Sequence, residues 1–101
     1  MNSVWFAAVG MPFRGSKPQE LKEARVIKLV SEPDNKYDPE AIKILIEGEN
    51  GADKHVGYVS RKDTARVKPF LDKQYSIVVL ETYKRSAELC LEHINQSAVI
   101  V

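Results

Sequence analysis

Tyr37 and Asp38 are the residues of this sequence best placed to do chemistry, because of the loop that carries them, Ser31-Glu32-Pro33-Asp34-Asn35-Lys36-Tyr37-Asp38-Pro39-Glu40-Ala41-Ile42. Pro33 and Pro39 fix their own φ and hold the residues before them extended, so the loop should be stiff. A stiff loop would present an aromatic face with a hydroxyl beside a carboxylate able to accept a hydrogen bond from a sugar hydroxyl or to attract a cation. Residue types alone leave a conformational reading open for both. The Tyr37 ring could cover the mouth of a core with its hydroxyl on a loop carbonyl, and Asp38 before Pro39 could be an N-cap.

Three further places carry candidates. Phe13 and Arg14 precede the breaker Gly15-Ser16-Lys17-Pro18; Phe13 suits stacking or a place in the core. Tyr58, Arg61 and Lys62 flank Ser60, where a strand gives way to a helical pattern. Cations in an early helical turn are more often a solvated face than a ligand site, but their placement against the helix dipole is a mild argument for an anionic partner. Asp38 and Glu40 are the only carboxylates that suggest an acid–base or metal pair, and no histidine, phosphate-cradling glycine loop or nucleophile motif accompanies them. His55, His93 and Cys90 lack metal-ligand spacing. The residues therefore point to binding without catalysis, cofactor or metal.

Composition sets the frame for these side chains. A chain of 101 residues, 44% hydrophobic, suits one domain with one core, and we take 1–101 as that domain. Fifteen basic against 14 acidic side chains give a net charge of +1, which excludes a strongly basic arm but not a local basic patch. The lone cysteine, Cys90, lies between Leu89 and Leu91 and reads as a small buried hydrophobe. The apolar run Val4-Trp5-Phe6-Ala7-Ala8-Val9 is too short for a signal sequence or a membrane span, so the expected location is cytoplasmic, away from any membrane.

The elements that must hold the candidates are mostly strands. Short apolar runs rich in β-branched residues fall at 4–10, 24–30, 42–47, 55–59, 75–82 and 88–94, separated by Gly, Pro, Asn and Asp clusters. Ile42, Ile44 and Ile46 share one face of their strand. Residues 75–80 are apolar on both faces, as in a central strand or one covered by a helix. Gly48-Glu49-Asn50-Gly51 and Lys84-Arg85-Ser86 read as hairpin connections. The stretch to Glu23 reads equally as loop or short helix. From Ser60 a helix is expected, with Ser60 as N-cap, Asp63 completing a capping-box variant, and Pro69 ending it. Asn95-Gln96-Ser97 reads as a turn, leaving Ala98 to Val101 as an apolar tail that adds a strand or docks on a partner chain, which leaves a homodimer open.

Three blocks of the sequence resemble one family. Glu32-Pro33-Asp34-Asn35-Lys36-Tyr37-Asp38-Pro39-Glu40-Ala41-Ile42 is similar to the E-P-x-N-x-Y-D-x-x-A-I signature of HIRAN domains. Val56-Gly57-Tyr58-Val59-Ser60-Arg61 is similar to the family's V-G-Y/H-V/I/L-x-R/K strand, and Val9-Gly10-Met11-Pro12-Phe13 to its opening V-G-x-x-F/Y strand. The blocks keep their order and extend from about Val9 to Leu71. The resemblance implies a mainly β fold, a small OB-like or SH3-like six-stranded β-barrel with one or two short helices. It also implies capture of the 3′-hydroxyl end of a DNA strand, in repair or at replication forks. By the same resemblance Tyr37 would stack on the terminal base, Asp38 would bond the terminal hydroxyl and Phe13 would face Tyr37 across the base. Tyr58, Arg61 and Lys62 would meet phosphates. Pro12 stands where some DNA-binding members carry a basic residue, and strand alternation would turn Arg14 away from that position. The last hairpin shows no extra aromatic. A second reading keeps the fold but makes the chain an adaptor that recruits a helicase or nuclease.

Overall fold

The computed structural model describes residues 3–48 and 50–94. Six strands form one antiparallel sheet: β1 (Ser3–Val9), β2 (Ile27–Ser31), β3 (Ile42–Glu47), β4 (Asp53–Val59), β5 (Tyr75–Thr82) and β6 (Ala87–His93). Two short helices, α1 (Pro18–Glu23) and α2 (Thr64–Val67), lie in the connections, α2 between one-turn 3-10 helices at Arg61–Asp63 and Lys68–Phe70. None is long and apolar enough among the described residues to cross a membrane. The expected tail from Ala98 to Val101 and the turn before it lie outside the described residues.

Alternation builds the core. Ile42, Ile44 and Ile46 of β3, Phe6 and Ala8 of β1, and Leu89 and Leu91 of β6 are all buried, as their spacing requires. On β4 the period breaks, because Ile44 pairs with Gly57 and Leu45 with His55, leaving Val56 as the extra residue of a bulge. That bulge is why Val56 and Val59, three apart, both face inward. It also presses Gly57 against β1: a Cβ on Gly57 would stand 2.8 Å from the Val9 carbonyl oxygen and 3.0 Å from Met11 Cγ. Gly57→Ala should therefore destabilise the fold by about 1–3 kcal/mol, the usual cost of overpacking, measurable as a lower urea midpoint with an unchanged m-value.

The order β2-β3-β4-β1-β6-β5 leaves β2 and β5 as edges, so the sheet is open and the expected closed barrel is not formed. Closure needs a backbone ladder between the outermost strands. Here a side chain bridges them instead: the Tyr75 hydroxyl accepts a hydrogen bond from the Leu29 N–H at 3.1 Å. Residues 75–82 thus form an edge strand rather than a central one, with Val78 and Leu80 exposed. The polar stretch before β2 resolves into α1, which carries the chain to Glu23 and delays β2 to Ile27.

The connection after β4 departs from the expected capped helix. Ser60 makes no side-chain cap. The Asp63 carboxylate is buried and caps no helix N–H; it accepts the Ala7 N–H of β1 at 2.9 Å and the Arg66 guanidinium of α2 at 2.6 Å. Pro69 does end α2, and Phe70 and Leu71 fold back onto the core.

Candidate functional site

The loop joining β2 to β3 is built around one side chain that sequence reading left without a role. Asn35 Oδ1 accepts the backbone N–H groups of Tyr37 at 2.9 Å and Asp38 at 3.0 Å, while Asn35 Nδ2 donates to Glu32 Oε1 at 2.7 Å. This is an Asx turn, the local motif that asparagine favours. Asp38 adds a second, accepting the Glu40 N–H at 2.9 Å on Oδ1. It caps a turn, not a helix. The Glu32 N–H on the Ala41 carbonyl at 2.9 Å closes the base of the loop.

With its backbone so held, the loop projects Tyr37 outward, 87% exposed, which removes the reading in which its ring covers the core. Phe13 is 94% exposed and equally far from a core role. It stands on the 3-10 turn Pro12–Arg14, entered from Gly10 at φ 72°, a left-handed conformation that favours glycine. Because this segment is a turn and not a strand, alternation does not govern Arg14.

A cavity of about 610 Å³ opens between these parts. Phe13, Arg14, Tyr37, Asp38, Tyr58 and Arg61, six of the seven candidates, line it together with Gly10, Asn35 and Lys36. Lys62 does not join them; it lies beside Trp5, Asp63 and Arg66 in a separate, smaller depression. Lys36 is a lining cation that sequence reading named only as part of the signature. A further depression of about 530 Å³ lies on the other side of Phe13, walled by Pro12, Arg85 and Ser86.

The charges are arranged in two layers. Around the rim stand Arg14, Lys36 and Arg61, and Arg61 is tied back by Nη2 donating to the Tyr37 carbonyl at 3.0 Å and Nε to Asp38 Oδ2 at 3.4 Å. Below them, the Tyr58 hydroxyl donates to Glu32 Oε1 at 2.8 Å, and His55 meets the Tyr58 ring edge-on at 4.8 Å. The Tyr58 hydroxyl is therefore spent on the floor of the site, and what it offers a ligand is its ring.

Hydrogen bonds from Asn35 and Tyr58 hold the Glu32 carboxyl below its usual range, with Lys43 adding to the effect. Burial, then the Glu32 bond, push Tyr58 up; burial, then Arg14, push His55 down, so the imidazole is neutral at pH 7. A depressed carboxyl stabilises the fold above its ordinary pKa, and that contribution vanishes as pH falls through the lowered value. The melting advantage of the parent over Glu32→Gln should thus hold at neutral pH and close below about pH 4, as thermal melts across pH would show.

What the arrangement can do is grip a flat ring against exposed aromatics, hold an anion with rim cations, and accept one hydrogen bond at the Asp38 carboxylate. Among known proteins, the family model described as HIRAN domain matches residues 1–99. No curated protein and no solved structure matches the chain.

Proposed function

This chain belongs to the HIRAN domain family, whose domains are in general DNA-binding modules, and we propose that it is a non-catalytic module that captures a single-stranded DNA end by its 3′-hydroxyl. The observation that carries the reading is the gathering of two exposed aromatics, Tyr37 and Phe13, with the Asp38 carboxylate and three cations around one cavity. Stacking suits any base, since every base has a π face, and contributes roughly 1–3 kcal/mol per base. Arg14, Lys36 and Arg61 supply the counter-charge for the phosphates behind the terminal nucleotide. Asp38 supplies polarity. A carboxylate accepts from a terminal hydroxyl but repels a terminal phosphate, so it selects for the free end. DNA repair and replication-fork processing are the settings that generate such ends.

Few phosphates are engaged, so affinity should depend only shallowly on salt, with a log–log slope of about −2 for three neutralised phosphates on a single strand. The deciding experiment is fluorescence anisotropy with a short labelled single strand ending in a 3′-hydroxyl or a 3′-phosphate. Tighter binding of the hydroxyl, whatever the terminal base, is the expected result. Equal binding of both ends, or of neither, would overturn end capture.

A further inference from the structure

The outer face of the sheet carries a second pattern, at Trp5, Cys90 and Val78, none of which lines the cavity. Cys90 of β6 pairs with Trp5 of β1 on one side and with Val78 of β5 on the other, so the three side chains form a row across three strands. Their chain neighbours Phe6, Leu89 and Leu91 are buried, which fixes the row on the outside. Trp5 is 64% exposed, Val78 48%, and Leu80 extends the row at 43%.

Carboxylates flank the row. Glu81 lies directly opposite Glu88 across β5 and β6, a like-charge pairing that weakens a sheet, and Glu92 stands on the far side opposite Ser3 and Ser76. None of the three has an ion-pair partner among the described residues; Glu88 accepts only the Tyr83 hydroxyl, at 3.1 Å. Lys62 lines a small depression together with Trp5 and Glu88 but forms no ion pair there among the described residues, while Arg66 is already neutralised by Asp63.

We propose that this face, Trp5–Cys90–Val78–Leu80 between Glu81/Glu88 and Glu92, docks a protein segment that combines aliphatic side chains with lysine or arginine. The apolar row gives such a segment area to cover, and its cations relieve the Glu81–Glu88 repulsion. Nucleic acid is the wrong partner here, since its phosphates would meet three carboxylates. Pairing along the open edge is also disfavoured, because the β5 strand bulges at Leu80, between Val79 and Glu81. The chain's own residues 95–101 contain no cation and would leave the carboxylates unmatched.

Trp5 is the single tryptophan, so its emission reports on this face directly. The probe is a synthetic seven-residue peptide alternating lysine and leucine, set against glutamate–leucine and lysine–serine peptides of the same length. The lysine–leucine peptide should shift Trp5 emission to the blue and saturate, with the other two weaker by about tenfold or more. Glu81→Gln should weaken that binding while raising the melting temperature of the free protein, a combination a merely structural glutamate would not give. The proposal is overturned if the glutamate–leucine peptide binds as well, if no peptide shifts the emission, or if the 3′-hydroxyl oligonucleotide competes for the same shift. It is equally overturned if removing residues 98–101 exposes Trp5, which would make the chain's own tail the occupant.

Discussion

Tyr37→Ala should lower affinity for a 3′-hydroxyl single strand by between about 5-fold and 150-fold, the range that loss of one stacked base implies at roughly 1–3 kcal/mol. The ring is nearly free of the protein, and the turn beneath it is held by Asn35 through backbone N–H groups that alanine retains. The variant should therefore melt with the parent, separating lost binding from lost folding. Tyr37→Phe keeps the stacking face and should bind almost as the parent does. Asp38→Asn probes the other half of the site: the amide keeps an acceptor but removes the charge that repels a 3′-phosphate, so discrimination between the two ends should narrow more than affinity falls. Anisotropy titrations of the three variants with both oligonucleotides provide the check. Parent-like binding by Tyr37→Ala would remove the cavity from consideration as the DNA site.

Asp63→Ala should damage the fold without emptying the cavity, lowering stability by about 2 kcal/mol and the melting temperature by about 10 °C. The reason lies in how β1 is paired. It runs along β6 over most of its length but along β4 only at Ala8 and Val9. Where β4 ends, the connection takes over. Ser60 N–H donates to the Ala7 carbonyl at 2.8 Å, the Asp63 carboxylate accepts the Ala7 N–H, and Arg66 donates to the Trp5 carbonyl at 2.7 Å. Alanine would orphan a backbone donor in the middle of the sheet and release Arg66, whose exposure limits that part of the loss. Asp63→Asn retains an acceptor and should lose less. Calorimetric melts of both variants test the ranking, and DNA affinity below the transition should stay near the parent value, since Asp63 does not line the cavity.

Much of this architecture is legible in the residues. The strands Ile42–Glu47 and Tyr75–Thr82 fall where their apolar runs place them, and the others differ by a few residues at their ends. Tyr37 projects from the loop between Pro33 and Pro39, whose backbone is held by the Asn35 and Asp38 side chains. These features depend on neighbours two to four positions away, and such spacing is written in the chain. Asn35 was legible as well, since an Asx turn is a local motif, although the family signature drew attention to Tyr37 and Asp38 first.

Other features depend on partners that no local pattern names. Asp63 reads as a helix-capping residue because Ser60 is three positions before it; its real partner, Ala7, is 56 residues away and is found only when β1 crosses the start of α2. Arg14 faces the cavity because tertiary packing makes Pro12–Arg14 a turn, and Lys62 misses it because the turn after β4 rotates that side chain toward Trp5. Local sterics and the period of burial fix the strands, the inward face of each and the loop that carries Tyr37, and the same residues carry the family signature. Three-dimensional packing is what leaves the sheet open, makes β5 an edge with an exposed apolar row, and selects which of the candidate cations reach the cavity. Those outcomes turn on strand order and on contacts between distant segments, whose energies are set by packing in three dimensions.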